Sequence, residues 1–250
     1  MDFAGITQLS MRSKRWPLRH GFVFEPHRLA LPSWALALKD LEPGPPAVLV
    51  TLDRHFDLVP PREPPPPGAA TTELDEWARK KSDVRNVDQV LAACHAGLIT
   101  DVIAFGRGKP SGALDAESWS SPNGQHRIIR ASRVGNISSD YGQTSAPPLV
   151  HSAQTVLSRA ARTILDIDLD CFTTPNDADP TSVVPWAKEQ IREFLLPRGS
   201  SAFWNAALSR CVAVTLAREP AHCGGLMAEA SLFMTVAPVL FEELLSADPP

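Results

Sequence analysis

The chain of 250 residues has one tyrosine, four methionines and four cysteines. Cys94, Cys171, Cys211 and Cys223 stand far apart with no CxxC pair, so neither a zinc ribbon nor a disulfide framework is indicated. No run approaches 18 apolar residues, which argues against a membrane-spanning helix. The opening "MDFAGITQLSMRSKRW" lacks the continuous apolar core of a signal peptide. A reducing, cytoplasmic setting is therefore expected. The net charge of −4 gives no reason to expect nucleic acid or an anionic membrane as partner.

What the chain does have is proline, 24 residues of it. "PPREPPPPG" (60–68) reads as a stiff extended loop, and its start three residues after Asp57 places it at the mouth of a site. A second stretch, 106–148, is rich in Gly, Ser and Pro with one apolar piece at 128–134, and reads as a long loop or lid. No repeat or internal boundary appears, so residues 1–250 are expected to form one domain.

Continuous apolar runs at 47–52, 101–105, 163–169 and 211–217 have the character of strands covered on both faces. Helical spacing is found at 87–98, where Gly97 gives a stop, at 183–196, starting near Thr181-Ser182 and closed by Pro197, and at 237–245. This alternation predicts an α/β fold, three layers αβα, with a mostly parallel central sheet.

Two of these runs end in acidic clusters. "TLDRHFDL" (51–58) carries Asp53, His55 and Asp57 at alternate positions, and "ILDIDLDCF" (164–172) carries Asp166, Asp168 and Asp170. Alternate residues of a strand share a face, and ligand sites of parallel sheets form beyond the carboxyl ends of the strands. Two carboxylates about 5 Å apart repel by roughly 3 kcal/mol at an effective dielectric near 20. Protonation, arginine pairing or divalent cations would relieve such repulsion. A lone DxHxD is commonly surface decoration, but a second acidic strand end makes a shared ion site the better reading. Oxygen-rich ligands with some imidazole suit manganese better than zinc, and so many carboxylates can hold two ions. Upstream, His20 and His27 are candidates for a further ligand; each is also readable as an ordinary surface or capping histidine.

The two motifs resemble the DAHxD and SxDxD signatures of the arginase/deacetylase (ureohydrolase) superfamily. "EPHRLALPSWALAL", "LVTLDRHFDL", "ILDIDLDCF" and "VTLAREPAHCGG" are similar to a divergent branch containing peptide arginases, which convert arginine to ornithine in ribosomally made peptides. The resemblance is scattered over about residues 20–225. It implies an arginase-like sheet with the metal site at the carboxyl ends of its strands. It also implies two Mn2+ per chain held by His27, Asp53, His55, Asp57, Asp168 and Asp170. Asp53 and Asp168 would be the bridging carboxylates, and Asp57 would help deliver a proton to the departing amine. In this register Asp166 falls where the family usually has serine; the register Asp166 with Asp168 stays open.

The chain lacks a GGDH-like first motif, a DP after the later aspartates and a traceable loop for free arginine. These departures favour an arginine-containing peptide, such as a leader-bearing ribosomal precursor, with the backbone lying along 106–148 and the proline segment. Two cations lower the pKa of a shared water and so make a nucleophile near neutral pH. A guanidinium needs a facing carboxylate, and Glu219 is the candidate, though it reads equally as a loop partner of Arg218. His222 and His126 are candidate proton shuttles or plain loop histidines. Asn86 is a ligand-orienting residue or a helix cap. Cys171 and Cys223 are expected to be structural, and Gly224-Gly225 to form a tight turn. The alternatives are a metal-dependent deacylase of the same superfamily, which usually keeps one zinc, and a non-catalytic protein with a structural cation. The oligomeric state is not legible.

Overall fold

The computed structural model describes residues 3–11, 16–41, 44–106, 115–176 and 179–245. The strands are β1 Ile6–Ser10, β2 His20–Phe24, β3 Ala47–Asp53, β4 Ile99–Gly106, β5 Asp115–Ser121, β6 Gly124–Ala131, β7 Thr163–Asp168, β8 Thr173–Asn176, β9 Asp179–Pro185 and β10 Cys211–Ala217. The helices are α1 Ala30–Lys39, α2 Thr71–Lys80, α3 Gln89–Ala96, α4 Gly135–Ser138, α5 Pro148–Arg159, α6 Lys188–Leu195, α7 Ser201–Leu208 and α8 Leu226–Ala237. The fold is α/β. Eight strands form one sheet in the order β1-β2-β10-β7-β3-β4-β6-β5; the six inner strands run parallel and the outermost strand at each end is antiparallel.

Strand periodicity sorts the side chains of β3. Val48, Val50 and Leu52 pack with residues of α5–α8, while Ala47 and Leu49 pack with residues of α1–α3. Both faces are apolar because both are covered, which explains why these strands read as unbroken hydrophobic runs. Outward from the middle, the chain steps from β3 to β4 and β6 on one side, and from β7 to β10 on the other. The reversal lies between β3 and β7. At such a switch point the flanking connections leave in opposite directions and open a crevice beyond the strand ends.

Several expectations need correction. The stretch 106–148 is not a loop: it contains β5, β6 and α4, and β6 pairs in parallel with β4; residues 107–114 lie outside the described residues. The hairpin turns at Ser121-Pro122-Asn123-Gly124, where Gly124 adopts φ +122°. The proline segment starts beside the site, where the Val59 N–H donates to the Val87 carbonyl (3.0 Å), and then leads away from it. It runs along α3, where the Gly68 N–H donates to the Ala96 carbonyl (2.9 Å) and His95 Nδ1 lies 2.8 Å from the Pro65 carbonyl. The expected helix 183–196 begins only at Lys188, because Val183-Val184-Pro185 belong to β9 and Pro185 biases its predecessor toward extended geometry. The expected final helix is α8 followed by a π-helical segment, Pro238–Leu244, so helical structure starts already at Leu226. Gly97 does end α3, in the left-handed conformation at φ +83°. Among the described residues no helix is long and apolar enough to cross a membrane.

Candidate metal centre

Asp53 is the last residue of β3 and Asp168 the last of β7, so both carboxylates sit at the switch point. Beyond them the chain bends. Convergence is therefore achieved by turns and not by strand alternation: Asp57 lies at φ +51° after β3, and Asp170 lies in a 3-10 turn, Leu169–Phe172, after β7. His27 opens a 3-10 turn, His27–Leu29, between β2 and α1. All of these except His55 are buried.

The His27 ring is the hub. Its Nδ1 lies 3.0 Å from Asp57 Oδ2, 3.3 Å from Asp168 Oδ2 and 3.4 Å from Asp53 Oδ2. None of these approaches is aligned as a hydrogen bond, and both Nδ1 and Asp53 Oδ2 are buried without a hydrogen-bond partner. Oxygen and nitrogen ligands about 2.1 Å from one cation stand about 3 Å apart when adjacent in an octahedron. The spacing fits an ion among these atoms better than it fits direct pairing.

A second group joins Asp53, His55 and Asp170. His55 Nδ1 lies 3.9 Å from Asp53 Oδ1 and 3.7 Å from Asp170 Oδ2. In each of the sets His27/Asp53/Asp57 and Asp53/His55/Asp170 the ligand atoms lie within 4.8 Å of one another, which suits a metal ion. Asp53 belongs to both, one oxygen toward each histidine. His55 differs from His27 in being open to solvent, its side chain 57 % exposed.

The turns are held by hydrogen bonds from their own backbone. Asp53 Oδ1 accepts from the His55 N–H (2.9 Å), Asp168 Oδ1 from the Asp170 N–H (3.1 Å), and Asp170 Oδ1 from the Arg54 N–H (3.2 Å). Gln89, at the start of α3, donates from Nε2 to Asp57 Oδ2 at 2.6 Å. Gln89 was not legible as a site residue; only a polar group in the first turn of an otherwise apolar helix could have flagged it.

Without a cation this cluster is costly. Burial, then the charge of Asp57, pushes Asp53 up to about 6. Burial, then the charge of Asp53, pushes Asp170 to about 7. Asp168 is raised well above the ordinary carboxyl range by burial and by Asp170. Burial opposes a charged His27, yet Asp166 and the contacts with Asp168 and Asp53 hold it well above the ordinary imidazole value.

Asp166 is placed one layer deeper. Its register row runs Thr215–Asp166–Thr51 across β10, β7 and β3, and both hydroxyls donate to it. Its oxygens are thus taken up by Thr51, Thr215 and His27 Nε2, and neither candidate ligand set includes it. Glu219, at φ +37° just past β10, is buried, and its Oε1 accepts from the His27 N–H (2.7 Å) and from Asn86 Nδ2. Its Oε2 lies 3.7 Å from Nε2 of the half-exposed His222. Asn86 is not a helix cap: it stands at φ +56°, two residues before Asp88, the residue that precedes α3, and receives Arg28 Nη1 at 3.1 Å. Asp57, Asn86 and Glu219 are the non-glycine residues with positive φ among the described residues; Asp57 and Glu219 touch His27 directly, and Asn86 is tied to it through Glu219.

Two histidines leave the site. His20 starts β2, at the opposite end of the strand, 3.2 Å from Gln8 Nε2. His126 is tied to the Thr100 carbonyl (2.7 Å), near the start of β4, and to Ser121 Oγ (2.6 Å). Arg218 pairs with buried Glu229, which frees Glu219 from that role. Cys171 and Cys223 are buried; Cys223 Sγ donates to the Arg218 carbonyl at 3.3 Å. Gly224 and Gly225, both at positive φ, close a turn in which the Gly225 N–H donates to Pro220.

Two cavities of the described residues lie apart from this cluster's carboxylates. One, about 530 Å³, lies between α6 and α7; another, about 600 Å³, adjoins the His27 turn at Glu25, Pro26 and Arg218.

Comparison with protein-family models returns no match, and neither does comparison with curated proteins.

Proposed function

We propose that the chain is a binuclear manganese hydrolase of guanidino groups that converts arginine residues of a peptide to ornithine and releases urea. The observation that carries this reading is Asp53, one buried carboxylate shared by two ligand groups, one built on His27 and the other on His55. One ion would be held by His27, Asp53, Asp57 and Asp168, the other by His55, Asp53, Asp168 and Asp170. The second group favours two ions over the single-ion shell of a deacylase. This arrangement is also the one expected of the arginase-like fold that the sequence motifs resemble.

A pair of cations held by these residues would supply activated water. The chain's own groups do the rest. Glu219 is fixed through Oε1 to the His27 N–H and Asn86, which leaves Oε2 for a guanidinium N–H. Water oxygen adds to the guanidino carbon, the bond from that carbon to the side-chain nitrogen breaks, and the amine leaves with a proton. Asp57, oriented by Gln89, is placed to pass that proton. The exposure of His55 leaves the mouth open to a large substrate, in keeping with a peptide, including a leader-bearing precursor.

The test is incubation of manganese-loaded protein with arginine and with arginine-containing peptides, read by mass spectrometry and urea assay. Loss of CH2N2 from a peptide arginine with stoichiometric urea is expected. Tight metal binding with no turnover of any guanidino compound would point instead to a structural cation in a non-catalytic protein. Release of an acyl group would point to the deacylase.

A further inference from the structure

We propose that Asp166 is a positioning residue that fixes the tautomer of His27 and so makes the buried half of the metal centre ready for its ion. The inference rests on the two-ion reading above but not on guanidine hydrolysis. Asp166 is fully buried. Thr215 Oγ1 donates to its Oδ1 at 2.6 Å, Thr51 Oγ1 donates to its Oδ2 at 2.8 Å, and His27 Nε2 lies 2.9 Å from the same Oδ2. The Thr215 hydroxyl is itself aimed, because its oxygen lies 3.1 Å from the donating Trp34 Nε1 and its hydrogen is left for Asp166.

A carboxylate offers only acceptors, so the imidazole nitrogen facing it has to carry the proton. In the neutral ring, the form that binds a cation, that leaves the Nδ1 lone pair as the ligand, aimed at the gap among Asp53, Asp57 and Asp168, where Nδ1 has no hydrogen-bond partner. A serine in the place of Asp166 can donate or accept and would not impose the choice. The aspartate does, and it also makes the imidazole a stronger donor to a cation. His55 has no such support: among the described residues its ring has no hydrogen bond, and it is exposed. The same centre thus pairs one ring locked by a buried carboxylate with one ring free to turn.

The experiment uses the full chain as wild type and as Asp166→Asn, Asp166→Ser, Thr51→Val and His55→Ala. Manganese binding is followed by paramagnetic resonance of the free ion. The His27 tautomer is read from nitrogen-15 correlations in magnesium-loaded protein. Wild type is expected to show the Nε2–H form. Asp166→Asn, whose amide can present an N–H to the ring, is expected to weaken one ion by roughly 10- to 100-fold. Asp166→Ser falls between, and His55→Ala keeps the tight ion while losing the other. An Nδ1–H tautomer in wild type overturns the proposal, and so does unchanged manganese affinity in Asp166→Asn. Should Asp166→Asn fail to fold, the wild-type tautomer and a several-fold affinity loss in Thr51→Val decide the matter. Wild type that binds no manganese at all sinks the two-ion reading itself, a result distinct from either of these.

Discussion

Replacing Asp170 with asparagine should stabilise the metal-free protein while weakening its hold on manganese. Asp170 is 2 % exposed and faces Asp53 across the site, and burial together with that neighbouring charge raises its pKa from the ordinary 3.8 to about 7. A carboxyl raised in the folded state gives stability that is full below its unfolded value and is lost as pH climbs through the folded value. The loss thus runs from about pH 4 to just above pH 7 and is on the order of 4 kcal/mol when complete. Asparagine removes the charge and keeps an oxygen for the Arg54 N–H, which Asp170 Oδ1 accepts at 3.2 Å. Part of the gain returns as the new amide N–H groups seek partners, so about 2 kcal/mol is expected at pH 8. For a chain of this length that is roughly 4–8 °C in Tm. The assay is thermal unfolding in chelator at pH 5 and pH 8, repeated with saturating manganese. The variant should melt above wild type in chelator at pH 8, much less so at pH 5, and below wild type with manganese. A variant that melts below wild type in chelator at pH 8 would refute the electrostatic reasoning.

Other outcomes follow from the same geometry. Manganese should raise Tm, by about 2.7 kcal/mol in stability at a hundredfold excess over Kd, and its affinity should climb between pH 5 and pH 8 as raised Asp53, Asp168, Asp170 and His27 release protons; titration calorimetry in buffers of different ionisation enthalpy reads this. Glu219→Gln keeps an acceptor for the His27 N–H and should raise KM with little change in Tm, whereas Glu219→Ala loses that tie and about 1–3 kcal/mol of stability in denaturant unfolding. Gln89→Leu frees Asp57 and should lower kcat by roughly tenfold with the fold intact by circular dichroism. Gly106→Ala sets a Cβ 2.8 Å from the Phe56 ring, inside the Asp53–Asp57 turn, and should reduce manganese affinity in the same titration.

The strands that build the switch point were legible because they are covered on both faces: the run 47–52 became Ala47–Asp53, and 163–169 became Thr163–Asp168. The hairpin of β5 and β6 was not. Ser118, Trp119 and Ser120 carry little hydrophobic signal, since an edge strand need not be apolar on both faces. The acidic ends of β3 and β7 could be read directly. Their convergence was expected from strand alternation, yet it arises from a left-handed Asp57 and a 3-10 turn at Asp170, which period-two reasoning does not contain. Asp166 shared its face with Asp168 as expected, but its depth depends on Thr51 and Thr215 from neighbouring strands. Gln89, Asn86 and the backbone role of Glu219 depend on contacts between distant segments, 133 residues apart for Asn86 and Glu219, and no local pattern encodes them.

The central claim is met most directly by anomalous diffraction from crystals grown with manganese. Two peaks per chain are expected, roughly 3.5–4 Å apart, with Asp53 between them, one beside His27 Nδ1 and the other beside His55. A single peak, or none among these carboxylates under manganese excess, would contradict the account.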